Sequence, residues 1–142
     1  MKDRFKTFWM DFAWRVSKMS RAKRLQVGTI IVKDDRIISI GYNGMPSGWD
    51  NECEYETEEG LRTRPEVLHA ESNAIAKVAR STDSSEGASL FCTHTPCIEC
   101  AKLIYQSGIT EVYIGQDYIA RKGCGEDFLR KAGIKIEKLL DI

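Results

Sequence analysis

The sequence predicts an α/β fold: a three-layer α/β/α sandwich around a five-stranded mixed sheet, with residues 1–142 forming one domain. Three observations lead to it. An amphipathic helical period opens the chain, two β-branched runs follow at hairpin spacing, and from residue 67 onward helix and strand patterns alternate. The order is α-β-β-α-β-α-β-α-β, which places helices against a sheet with both hairpin and crossover connections. A chain of 142 residues is long enough for one real core, since domains cluster near ~100–150 residues.

Phe5, Phe8, Trp9, Phe12, Ala13, Val16 and Met19 recur at three- and four-residue intervals, the period of a helix with one apolar face, so a first helix is predicted over 5–19. Residues 26–33 and 36–42 are β-branched runs separated by Asp34-Asp35, which reads as a hairpin. From Asn43 to Pro65 the chain is polar, rich in Gly, Glu and Asn, and has no apolar period. It is read as a long loop, and a loop beyond ~12–15 residues inside a compact domain is often functional. Leu68, Ala74, Ile75, Val78 and Ala79 mark a second helix over 67–80, starting just after Pro65. A turn over 81–87 leads to a buried strand over 88–93. Thr95 and Pro96 then offer an N-cap and a first-turn proline for a third helix that runs to Gln106 and stops at Gly108. A strand over 110–115, a helix over 126–132 ended by Gly133, and a last strand over 134–138 complete the order.

Lys plus Arg (21) balance Asp plus Glu (21), so no net basic field draws the chain to nucleic acid, and none is expected as a partner. The first six residues interleave both charge signs with aromatics, and no secretory-type apolar run follows. No stretch approaches the roughly 20 apolar residues of a membrane span, so no membrane partner is expected either. Five cysteines, two of them in C-x-x-C spacing, read as metal or redox chemistry in a reducing compartment rather than as a disulfide framework. A cytoplasmic protein is the expectation.

Two short segments carry the chemistry: His69-Ala70-Glu71 and Pro96-Cys97-Ile98-Glu99-Cys100. Cys97 and Cys100 are three apart at a helix start, so both thiols face one side and suit a single ion, and the helix N-terminus favours thiolate. His69 and Glu71 are two apart, which in mid-helix would splay them by about 200°. They converge only at a helix end, and the expected place is the first turn after Pro65. His69, Cys97 and Cys100 as Zn²⁺ ligands leave a fourth tetrahedral position for water, with Glu71 as general base and acid. Two other readings stay open on spacing alone. One is a redox pair, disfavoured because Pro96 precedes rather than separates the cysteines and His69 is left unexplained. The other is a closed structural zinc site, with Cys53, Cys92, Cys124 or His94 as fourth ligand. Cys92 is expected to pack as a small hydrophobe, and His94 to be a turn or site-wall residue.

The H-x-E and P-C-x-x-C segments resemble the signature of the zinc-dependent cytidine deaminase superfamily. Within it the chain is most similar to the deoxycytidylate deaminases, notably the short phage type. Gly41-Tyr42-Asn43-Gly44-Met45-Pro46-Ser47-Gly48, the long insert before His69, and the stretch from Cys100 to Ile109 carry that likeness. The resemblance implies hydrolytic deamination of dCMP to dUMP, supplying dUMP for thymidylate synthesis. It also implies a homo-oligomer, commonly a hexamer, activated by dCTP with Mg²⁺ and inhibited by dTTP, in the host cytoplasm if the chain is phage-encoded. By the same likeness Asn43 hydrogen-bonds the sugar 3′-hydroxyl; Ala70 and Thr29 are further candidates to face the nucleotide, and Thr29, as a strand residue, reads equally as packing. Tyr118 and Arg121, with Lys122 and Ser47 behind them, are the candidates for the phosphate. Gly41, Tyr42 and Gly44 look like an effector motif whose glycines admit a nucleotide to the backbone, and Arg80 links subunits or sites. A deaminase of the same fold acting on tRNA adenosine, free cytosine or a nucleoside is a second expectation. A noncatalytic zinc-stabilised binding module is a third.

Overall fold

The computed structural model describes residues 1–120 and 123–139. Helix α1 spans Asp3–Ser17, followed by strands β1 (Gly28–Lys33) and β2 (Arg36–Tyr42). A short pair, β3 (Glu54–Thr57) and β4 (Gly60–Thr63), precedes α2 (Ala70–Ala79). Then come β5 (Ser89–His94), α3 (Ile98–Gln106), β6 (Glu111–Gln116), α4 (Gly125–Lys131) and β7 (Lys135–Lys138). Among the described residues no helix is long and apolar enough to cross a membrane.

The main sheet has the order β2-β1-β5-β6-β7, antiparallel across its first three strands and parallel across its last three, which is the mixed sheet expected. The β1–β2 turn has positive φ at both Asp34 (52°) and Asp35 (59°), the backbone that matches a two-residue turn to strand twist. Trp9, Met10, Ala13 and Val16 of α1 pack with Ile30, Val32, Phe91 and Tyr113 on one side of the sheet. Ala74 and Val78 of α2, Ala101 and Ile104 of α3 and Leu129 of α4 pack with Ile31, Leu90, Cys92, Val112 and Ile114 on the other. Those two cores make the three layers.

The segment read as one long loop contains the β3–β4 hairpin, paired from Glu54↔Thr63 to Thr57↔Gly60. Its strands are largely exposed on both faces, so they show no alternation of apolar residues for a sequence pattern to reveal. A second correction concerns the start of α2, which lies at Ala70 rather than 67. Gly44 and Leu68 exchange both backbone hydrogen bonds (2.8 and 3.1 Å), and this pairing holds the chain extended up to His69. At α3 the N-cap is Cys97, not Thr95. The Thr95 hydroxyl instead accepts the Tyr118 N–H at 3.1 Å.

Candidate metal centre and active site

The N-termini of α2 and α3 meet over the sheet and bring the two sequence segments together. His69 caps α2 with an extended backbone (φ −76°, ψ 153°), so it stands just outside the helix. Glu71 is the second helical residue. The break in helical spacing between them lets residues two apart serve one site. Cys97 caps α3, also extended, and Cys100 lies in its first turn. Neither cap side chain bonds its own helix, and His69 Nδ1 and Cys97 Sγ face each other across the gap.

His69 Nδ1 is 3.6 Å from Cys97 Sγ and 3.3 Å from Cys100 Sγ, and the three ligand atoms lie within 4.8 Å of one another. A tetrahedral ion with ~2.3 Å bonds to sulfur and ~2.0–2.1 Å bonds to nitrogen has N···S edges of about 3.6 Å. The donor set and its spacing therefore fit zinc. The Cys97 thiol is held down to about 3, first by the hydrogen bond from Cys100 and also by contact with His69. That bond, together with burial, raises Cys100.

Among the described residues no fourth side chain joins this cluster. Cys92 is fully buried, accepts the Thr29 hydroxyl at 3.3 Å and donates to Glu71. Cys53 is buried elsewhere on the cavity wall, and Cys124 is exposed. His94 is not a turn residue: it closes β5 and lines the cavity. The closed zinc site thus lacks its closing ligand here.

Glu71 is 4% exposed, and burial pushes its carboxyl up to about 7 against the opposing pull of its own backbone N–H, His69 and Cys92. It borders a cavity of about 580 Å³ shared with His69 and Cys97, a volume in the range of small-molecule sites.

Of the other predicted residues, Asn43, Ala70 and Tyr118 line this cavity. Asn43 Oδ1 accepts the Val27 N–H (2.9 Å) and its Nδ2 donates to the Leu25 carbonyl (2.8 Å), so the amide fastens the end of β2 to residues 25–27. Thr29 and Ser47 do not line it. The Thr29 hydroxyl is spent beneath the floor on Cys92, and Ser47 is exposed outside. Arg121 and Lys122 lie outside the described residues. At Gly41 a Cβ would stand 2.3 Å from the Ala70 carbonyl and 2.7 Å from the Ala74 N. Its missing side chain admits the close approach of α2. Tyr42 accepts a bond from Asn73 of α2 and Gly44 pairs with Leu68, while Arg80 sits exposed at the far end of α2.

Sequence reasoning missed the opposite rim. Arg24 lines the cavity and donates to Thr63 Oγ1 at 3.1 Å. The Glu54 carboxylate accepts the Lys23 and Arg24 backbone N–H groups at 2.8 and 3.0 Å. The adjacent basic pair Lys23-Arg24, just past a predicted helix, was the available signal. Gly125 was missed too: it lets α4 start 2.3–2.7 Å, measured from an added Cβ, from the Pro96 and Cys97 carbonyls.

The profile of the cytidine and deoxycytidylate deaminase zinc-binding region matches residues 3–116, a span that holds His69, Glu71, Cys97 and Cys100. The deoxycytidylate deaminase of Enterobacteria phage T4 is 34% identical over 89% of this chain and 86% of its own. The human deoxycytidylate deaminase is 41% identical over 78% of this chain and 64% of its own. Among solved structures, the dCMP deaminase of cyanophage S-TIM5 in complex with dCMP and dUMP matches with a TM-score of 0.90 at 44% identity, covering 98% of this chain and 99% of that one. With the family profile spanning most of the chain and both neighbours in sequence and structure agreeing, this chain belongs to the cytidine and deoxycytidylate deaminase family and is a deaminase.

Proposed function

We propose that the chain hydrolyses dCMP to dUMP and ammonia. The observation that carries this reading is a buried carboxyl, Glu71, set beside a three-ligand cluster that no fourth side chain closes. The likeness to dCMP deaminases of phage T4 and cyanophage S-TIM5 supports the substrate. His69, Cys97 and Cys100 would hold Zn²⁺, which when bound supplies a Lewis acid that lowers the pKa of water toward ~7.

Glu71 does the proton work. Its carboxylate takes a proton from water and hands it to ring N3, then takes the proton of the hydroxyl added at C4 and delivers it to the amino group, which leaves as ammonia as the C4 carbonyl forms. A carboxyl whose burial places it near neutrality accepts and returns a proton at similar cost. Ala70 and Asn43 form wall beside the nucleotide. For the phosphate, Tyr118 keeps its place on the cavity, and Arg24 supplies a cation there, joined by Arg121 in this reading.

Regulation by dCTP with Mg²⁺ and by dTTP, in a hexamer, belongs to the same proposal. Its support is the likeness of Gly41-Tyr42-Asn43-Gly44 to the effector motif of the deoxycytidylate deaminases. The test is the initial rate of dCMP deamination by zinc-loaded protein at low substrate, with and without dCTP and Mg²⁺. A rate that rises with dCTP supports both parts. Turnover with a hyperbolic, dCTP-insensitive curve removes the regulation, and absence of turnover removes dCMP as substrate.

A further inference from the structure

His94 is a buried imidazole on the same cavity that the chemistry above does not use. It is 5% exposed and closes β5. Its Nδ1 lies 2.8 Å from Thr93 Oγ1, and that oxygen accepts the Gly28 N–H at 3.1 Å. Thr93 is wholly buried, so its hydroxyl proton needs a protein acceptor, and among the described residues His94 Nδ1 is the one within reach. The hydrogen-bond network therefore assigns the ring hydrogen to Nε2. Burial lowers the pKa of the ring, keeping it neutral at pH 7.

Trp14 and Tyr118 flank the imidazole edge-on, with centroids 5.4 and 6.3 Å away, and hold its direction. Nε2 makes no protein hydrogen bond among the described residues. It is not among the sealed polar atoms left without a hydrogen bond there, so it opens onto the cavity. His94 follows Cys92 by two positions on one face of β5, about 7 Å along the strand. Cys92 bonds Glu71, so His94 sits one step along the cavity from the reacting end. A pyrimidine with its amino carbon at Glu71 offers its ring O2 first and, farther along the cavity, the sugar and phosphate oxygens; the strand step from Cys92 to His94 places Nε2 toward that farther end.

We propose that His94 contacts the substrate, its Nε2–H, locked in that tautomer by Thr93, donating to an acceptor oxygen in the sugar–phosphate part of the nucleotide. This rests on the dCMP reading above. The experiment compares the zinc-loaded parent with His94→Leu and His94→Gln in dCMP turnover, with dUMP and deoxyuridine as inhibitors. His94→Leu raises the KM for dCMP about 10- to 100-fold, the range for a hydrogen bond to a charged group, and leaves kcat nearly unchanged. His94→Gln, which keeps an acceptor for Thr93 and a donor for the nucleotide, recovers most of that loss. Inhibition weakened for dUMP alone assigns the phosphate oxygen, and equal weakening for deoxyuridine but not for uracil, a third inhibitor, assigns a sugar oxygen; either supports the contact, whereas equal weakening for uracil moves it to the base and overturns the proposal. In the parent, heteronuclear NMR places the ring hydrogen on Nε2, and its resonance moves as dUMP binds. An unchanged KM in His94→Leu, or a resonance that stays put at dUMP saturation, overturns the proposal while the dCMP reading stands. A parent that does not turn over dCMP overturns that reading and this inference with it.

Discussion

The wall carrying His69, Glu71 and Cys97, with Cys100 behind it, and the rim carrying Arg24, Glu54 and Thr63 face one cavity but are held by different forces. The first is built from two helix starts packed on the central sheet, with Cys97, Cys100 and Glu71 all at most 5% exposed. The second is joined by hydrogen bonds between exposed groups: Glu54 to two backbone amides, and Arg24 to Thr63. Burial fixes position tightly and shifts acidity, which suits proton transfer. Exposed polar contacts exchange readily with water, which suits admitting and gripping a charged substrate. Substitutions on the wall should therefore act on kcat or on folding, and those on the rim on KM.

The largest expected effect is that of Glu71→Gln. Turnover falls about 10³–10⁴-fold at the upper end of general acid–base contributions, while zinc content measured by atomic absorption stays at the parent level. Loss of zinc in that variant would make Glu71 part of the metal shell and blur the division. Next is Gly41→Ala, whose methyl group has no room against α2; it should cost about 1–3 kcal/mol in denaturant unfolding and reduce zinc retention. Arg24→Ala comes third, with a KM for dCMP raised about tenfold, the scale of one charge-assisted hydrogen bond, and little change in kcat. A fall in kcat instead would place Arg24 in the chemistry. The smallest effect is that of Glu54→Ala, about 1 kcal/mol or less because water replaces it at both amides, read as faster hydrogen exchange at Lys23 and Arg24.

The same contrast divides what the sequence revealed from what it hid. The apolar periods of α1, α2 and α3 and the β-branched runs of β1 and β2 report burial, and burial organises the sheet and the metal-facing wall. The spacing His69-x-Glu71 even demanded a helix end, although the cap itself depends on Gly44 pairing with Leu68, a contact 24 residues apart in sequence that no local pattern encodes. The rim left no such trace. β3 and β4 are exposed on both faces, and Arg24 owes its place to Glu54, 30 residues away. Asn43 was legible as a residue of consequence, yet its amide bonds to Val27 and Leu25 required the fold to be seen. Gly41 carries a second demand that no local pattern showed: the neighbouring helix needs its missing side chain.

Gly41 and Gly125 each sit where a helix backbone presses directly on another segment, one beside His69 and the other beside Cys97. Together they act as a gauge for the gap between the two helix starts. A descendant chain that kept the histidine, the glutamate and both cysteines but acquired a side chain at either glycine would retain the signature and lose the alignment. Divergence from catalysis in such chains would then be written first in two positions that touch neither metal nor substrate.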